Sequence, residues 1–104
     1  MITPANLWHQ VFDKANGYCE YCNQDLLLSI AAMNAAQVDH VLARAKGGKD
    51  ELENLRLACS LCNSSLAKFN HLTTFEARKE RIQSRLAIHE GNWRDKRAKL
   101  RKTV

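Results

Sequence analysis

Two Cys-x-x-Cys pairs, Cys19-Glu20-Tyr21-Cys22 and Cys59-Ser60-Leu61-Cys62, hold all four cysteines of this 104-residue chain and constrain its fold more than any other feature. A turn of that spacing presents two sulfurs to one ion. Two such turns complete a four-thiolate tetrahedron around Zn²⁺, with Zn–S distances of about 2.3 Å and no position left open for water. Iron fits the same spacing. A closed shell of this kind ties distant segments together and does no chemistry. A redox pair would need one such motif in a βα context, and the chain has two without it. A chain of this length forms one domain that buries only roughly two-thirds of its unfolded surface, so a stabilising metal matters.

The formal charge is +5, from 16 Lys and Arg against 11 Asp and Glu, which makes polyanions natural partners. The excess sits at the back: from Lys68 onward there are 11 basic and 4 acidic residues, and before it 5 basic and 7 acidic. The start of the chain has neither a charged n-region nor an apolar h-region. The expected setting is therefore intracellular, in the cytoplasm, where paired cysteines hold metal more often than disulfides. The apolar run 26–36 is far short of the roughly 20 residues of a membrane span, so no membrane partner is expected.

Hydrophobic spacing through Leu7, Trp8, Val11 and Phe12 predicts a helix over 4–15, stopped by Asn16-Gly17. Residues 25–36 read ambiguously, with helix-favouring alanines and leucines before an extended 37–41. Lys46-Gly47-Gly48-Lys49 predicts a flexible loop, and 53–58 alternates like a second strand. A helix is expected from Asn63. Another begins at Thr73 or Thr74, with Glu76 in capping-box position, and Gly91-Asn92 is expected to end it. The fold class is thus α+β: a zinc-stabilised two-stranded hairpin plus helix, flanked by N- and C-terminal helices. One domain spans 1–104, with its core at about 18–68 and a basic helical extension at about 72–104.

A four-thiolate site leaves Asp39, His40 and Asn63 with nothing to do in it. A hard carboxylate oxygen, an amide oxygen and an imidazole beside a basic surface suggest Mg²⁺-assisted cleavage of a phosphodiester. Asp39-His40, Gly47-Gly48, Asn54-Leu55 and Cys59-x-x-Cys62-Asn63, followed by Lys68, resemble the HNH nucleases, also called ββα-metal or His-Me finger nucleases. The resemblance implies a hairpin and helix gripping one divalent cation, and hydrolysis of DNA to a 5′-phosphate and a 3′-hydroxyl. It makes His40 the general base, work that suits an imidazole at neutral pH. Asp39 matches the first metal ligand, although strand alternation would send neighbouring side chains to opposite faces. Asn54 matches the residue that holds the loop orienting the base. Asn63 stands where many relatives have a final histidine. That substitution leaves an oxygen-only donor set, which suits Mg²⁺ or Mn²⁺. Lys68, placed on the helix, matches a phosphate contact.

Arg78, Arg81, Arg85, Arg94, Lys96, Arg97, Lys99 and Arg101 extend that basic surface, and six of the nine residues from Arg94 to Lys102 are Lys or Arg. Such charges bind phosphates with a steep salt dependence. The expected partner is double-stranded DNA; nothing reads as a base-specific recognition helix, so specificity is expected to come from DNA shape, a structure such as a junction, or a partner. Two other functions fit the same residues: a non-catalytic zinc module that binds nucleic acid or protein, and an RNA-cleaving nuclease. Monomer and homodimer both remain open. His9, His71, His89, Trp8 and Trp93 read as packing or surface residues.

Overall fold

The computed structural model describes residues 4–101, with side chains from residue 6 onward; Lys102 lies outside the described residues. Helix α1 (Pro4–Lys14) forms on the expected spacing. It buries Val11 and Phe12 and stacks Trp8 on Phe12 at 4.8 Å between ring centroids. Asn16 and Gly17 then both turn left-handed, with φ of 54° and 76°, which stops the helix. The ambiguous stretch 25–36 resolves into a short helix, α2 (Ile30–Asn34), capped where the Ser29 hydroxyl accepts from Ala32 N at 3.0 Å.

Strands β1 (Gln37–His40) and β2 (Leu55–Ala58) pair antiparallel, from Gln37 opposite Ala58 to His40 opposite Leu55. Both are shorter than the sequence pattern suggests. Val41 has left the strand, and Leu52–Asn54 is a 3-10 turn leading into β2. Helix α3 (Ser60–Leu66) starts three residues earlier than expected, inside the second cysteine turn. The reason is chemical: the Cys59 sulfur accepts from Cys62 N at 3.4 Å and so serves as the N-cap.

Helix α4 (Phe75–Leu100) is capped by Thr74, whose hydroxyl accepts from Ala77 N at 3.2 Å. It runs 26 residues, straight through Gly91-Asn92, which corrects the expected stop. An interior glycine costs a helix about 1 kcal/mol, too little to end one by itself, and the Glu90–Arg94 ion pair at 2.8 Å spans the weak point.

The core gathers Leu55, Leu57 and Ala58 of β2, Val11 of α1, Leu66 of α3, Ile82 of α4 and Tyr21 and Leu26 around the first cysteine turn. Only Arg78 and Ile82 of α4 are buried, so its second half projects from the body with an exposed, charged surface. The architecture is α+β, a hairpin and helix with a four-cysteine cluster and helices before and after it. No helix of the described residues is long and apolar enough to cross a membrane.

Candidate metal centres and active-site cavity

The ligand atoms of Cys19, Cys22, Cys59 and Cys62 all lie within 4.8 Å of one another. The Cys22 and Cys59 sulfurs are 3.7 Å apart, close to the edge of about 3.8 Å in a tetrahedron with 2.3 Å arms. The first turn is built by its backbone: Cys19 N donates to Gln24 O, and Asn23 N to Cys19 O, with Asn23 left-handed at φ 65°. It docks on β2 through Glu20 N to Leu57 O at 2.8 Å and Leu57 N to the Glu20 carboxylate at 2.9 Å. Crowding polarises the thiols. Hydrogen bonding from Cys22 pulls the Cys19 thiol far below the ordinary thiol range, while the partnership with Cys19 pushes Cys62 far above it. Four thiolates at this spacing need a compensating cation, and the donor set fits tetrahedral Zn²⁺.

Asp39, His40 and Asn63 line one open cavity of about 600 Å³, together with Trp8, Arg44 and Asn70. Asp39 and His40, neighbours at the end of β1, line the same cavity despite strand alternation. Asp39 is 7% exposed and doubly bonded: Tyr21 donates its hydroxyl to Oδ2 at 2.5 Å, and Arg78 donates Nη2 to Oδ1 at 2.8 Å. Burial, then the Asp39 charge, push the Tyr21 phenol above its ordinary pKa. Each Asp39 oxygen keeps one lone pair beyond these bonds. Asn63 and His40 line the same cavity, which therefore offers a carboxylate, an amide and an imidazole. The carboxylate and amide oxygens are the donor types that could hold a hard divalent cation.

Arg78 overturns its sequence assignment. Grouped with the surface cations, it is instead 1% exposed, bonded to Asp39 and to the carbonyls of Phe69 and Leu72 at 3.1 and 3.3 Å. Nothing in the helical charge pattern separates it from Arg81 or Arg85. Only its register with Ile82, the other buried residue of α4, marks the inner face.

His40 Nε2 lies 2.7 Å from Asp50 Oδ1. With the carboxylate accepting, Nε2 carries a proton, and in the neutral imidazole the lone pair then lies on Nδ1, a tautomer assigned from the hydrogen bond. Asp50 is held in turn by Arg44, whose Nη2 donates to both carboxylate oxygens at 3.0 Å. The hydrogen bond to His40, then those from Arg44, lower the Asp50 pKa from its ordinary value. Sequence reasoning missed Asp50, since nothing in the order of residues pairs it with His40. Asn54 clamps the intervening loop: Oδ1 accepts from Leu42 N at 2.9 Å, while Nδ2 donates to Leu42 O at 3.1 Å and Lys49 O at 3.0 Å. Gly48 completes the closure, since a Cβ there would stand 1.7 Å from the Leu42 carbonyl oxygen.

Lys68 is exposed, two residues past the end of α3 instead of on it, and Asn70 rather than Lys68 lines the cavity. Arg81 is exposed with its guanidinium 4.9 Å from the Phe69 ring centroid, and Arg85 is half-buried. Arg94, Lys96, Arg97, Lys99 and Arg101 lie on the projecting end of the chain, all exposed.

A two-stranded antiparallel hairpin and a helix, stapled where a four-cysteine cluster joins the first turn to the helix, define a zinc-type ββα finger. Residues 19–69, about half of the chain, match the family described as HNH endonuclease, and this segment is an HNH endonuclease domain. No curated protein and no solved structure matches the chain. The family carries nuclease activity on nucleic acid.

Proposed function

We propose that the protein is a DNA endonuclease that hydrolyses phosphodiester bonds with a divalent cation, nicking one strand per event and leaving 5′-phosphate and 3′-hydroxyl ends. The observation that carries this reading is the convergence of Asp39, His40 and Asn63 on one cavity. His40 takes a proton from the attacking water at Nδ1, because Nε2 is committed to Asp50. Asp50 fixes the ring and stabilises the imidazolium that forms, Arg44 fixes Asp50, and Asn54 keeps the loop that carries Asp50 closed. Mg²⁺ or Mn²⁺ held by Asp39 and Asn63 would supply Lewis-acid stabilisation of charge at the scissile phosphate and the leaving 3′-oxygen.

Zn²⁺ in the four-cysteine site has a separate, structural task. Lys68, Arg81, Arg85 and the exposed run from Arg94 to Arg101 bind the phosphate backbone of duplex DNA without reading bases. In this reading 1–104 works as one unit, its catalytic core at about 18–68 and its DNA-holding extension at about 72–104.

The test is cleavage of supercoiled plasmid by zinc-loaded wild type and His40→Ala, with EDTA, Mg²⁺ or Mn²⁺. Nicking by wild type alone, and only with added metal, is the expected result. Equal cutting by His40→Ala would refute the assigned base. DNA binding without cleavage under every condition would favour the non-catalytic zinc module, and cleavage confined to an RNA substrate would favour the ribonuclease.

A further inference from the structure

The Asp39 carboxylate already has a cation. Arg78 donates to its Oδ1 at 2.8 Å, and both side chains are buried, so little solvent screens the pair. Arg78 does not depend on Asp39 for its place, because the carbonyls of Phe69 and Leu72 also hold its Nη1. Around the cavity the charges come close to cancelling: Asp39 is matched by Arg78, and Asp50 by Arg44, while Asn63 and Asn70 are neutral. Affinity of an oxygen site for a hard divalent cation rises with the number of uncompensated carboxylates. The one carboxylate offered here is compensated in advance.

We propose that Arg78 is a built-in counter-charge that makes cation binding at Asp39 conditional on bound nucleic acid. The inference rests on the reading of Asp39 as a metal ligand. Arg78 is a positioning residue, acting through Asp39 without touching the reacting atoms. The free protein holds a divalent cation weakly, since the ion would meet one neutralised carboxylate, one amide and a fixed guanidinium. A phosphodiester in the cavity brings the missing negative charge and additional oxygen ligands. Metal and nucleic acid therefore bind with positive cooperativity, and an enzyme without its substrate carries no armed cation. Tyr21 supports the same arrangement, holding Oδ2 so that the carboxylate cannot rotate away from Arg78.

The experiment measures free Mn²⁺ by electron paramagnetic resonance during titration of the zinc-loaded full chain, with and without a DNA duplex. A His40→Ala background keeps the duplex uncut, and Asp39→Asn with the same duplex gives the ions held by DNA alone. The expected result is a DNA-dependent gain in Mn²⁺ affinity between about 5- and 150-fold, the usual span of coupling between two ligands. Linkage requires the same factor in DNA affinity when Mn²⁺ is added, read by fluorescence anisotropy.

Arg78→Gln, folded by circular dichroism, should raise DNA-free Mn²⁺ affinity and shrink the coupling, whereas Arg78→Lys should keep it. A merely structural Arg78 would give the opposite sign, a loss of affinity. Equal Mn²⁺ affinity with and without DNA in the Asp39-containing protein overturns the proposal, and this arm stands even if Arg78→Gln fails to fold. If Asp39→Asn leaves the DNA-dependent Mn²⁺ site intact, the reading of Asp39 as ligand fails as well. If Asp39→Asn abolishes the site but DNA-free affinity does not rise in folded Arg78→Gln, the counter-charge alone fails.

Discussion

Replacing Asn54 by alanine isolates the loop clamp from every group assigned to metal, water or phosphate. The side chain makes three hydrogen bonds, two to the backbone of Leu42 and one to Lys49 O. At a net worth of about 1 kcal/mol each, their loss reduces the preference for the closed loop by about 3 kcal/mol. A tenfold change corresponds to about 1.4 kcal/mol, so the ratio of closed to open loop falls by roughly 100-fold. The backbone bonds from Val41 N to Asn54 O at 2.9 Å and from Gly48 N to Ala43 O at 3.0 Å remain, so the loop loosens without detaching.

Asp50 then drifts from His40, and the imidazole loses its orientation. The expected outcome for Asn54→Ala is a fall in kcat of up to about 100-fold with KM nearly unchanged, because the groups that bind phosphate are untouched. Plasmid nicking under saturating DNA reads kcat, hydrogen exchange at the Leu42 amide reads the clamp, and zinc content checks that the four-cysteine site is intact. Wild-type kcat combined with accelerated exchange at Leu42 would refute the link between loop closure and the base. Unchanged exchange would refute the clamp itself.

Three further outcomes follow from the same geometry. Cys62→Ser should lose the bound metal and the fold together, since structural zinc contributes about 10–16 kcal/mol against a typical domain stability of about 5–15 kcal/mol; zinc release and far-ultraviolet circular dichroism read both, and a folded, zinc-free protein would contradict it. Asp50→Ala should lower kcat by about 10- to 100-fold, less than the roughly 10²- to 10⁴-fold that general-base catalysis contributes in full, because His40 itself remains, and should change which His40 nitrogen carries the proton in long-range ¹H–¹⁵N spectra; an unchanged spectrum would show that Asp50 does not set the tautomer. Changing Lys96, Arg97, Lys99 and Arg101 together to glutamine should reduce the slope of log affinity against log salt by up to about 3.6. The thermal midpoint should stay put, because all four side chains are exposed; an unaltered salt slope would remove this segment from the DNA interface.

Much of this molecule was legible in one dimension. Spacing within each Cys-x-x-Cys pair is a local property, and the same four residues form the cluster. Residue order also placed Asp39-His40 before the Gly-Gly loop and Asn54 after it, and the folded chain brings Asp39, His40 and Asn63 to one cavity. Helix α1 followed from periodicity and its Asn-Gly stop, both read within a few residues. The persistence of α4 past Gly91 was not legible, because a stop signal is only a small penalty that neighbouring helical residues outweigh.

What only the tertiary structure decided is the company each charge keeps. Asp39 and Arg78 are 39 residues apart, and their pairing exists because α4 packs Ile82 and Arg78 inward against the finger. Sequence placed Arg78 among cations for DNA; the fold buries it on a carboxylate. His40 and Asp50 meet only because Asn54 and Gly48 close the loop between them. Composition and spacing fix which donors and acceptors a chain owns. Partnership falls off within a few ångströms, so it is set by side-chain register and loop closure, which depend on contacts between segments remote in the sequence.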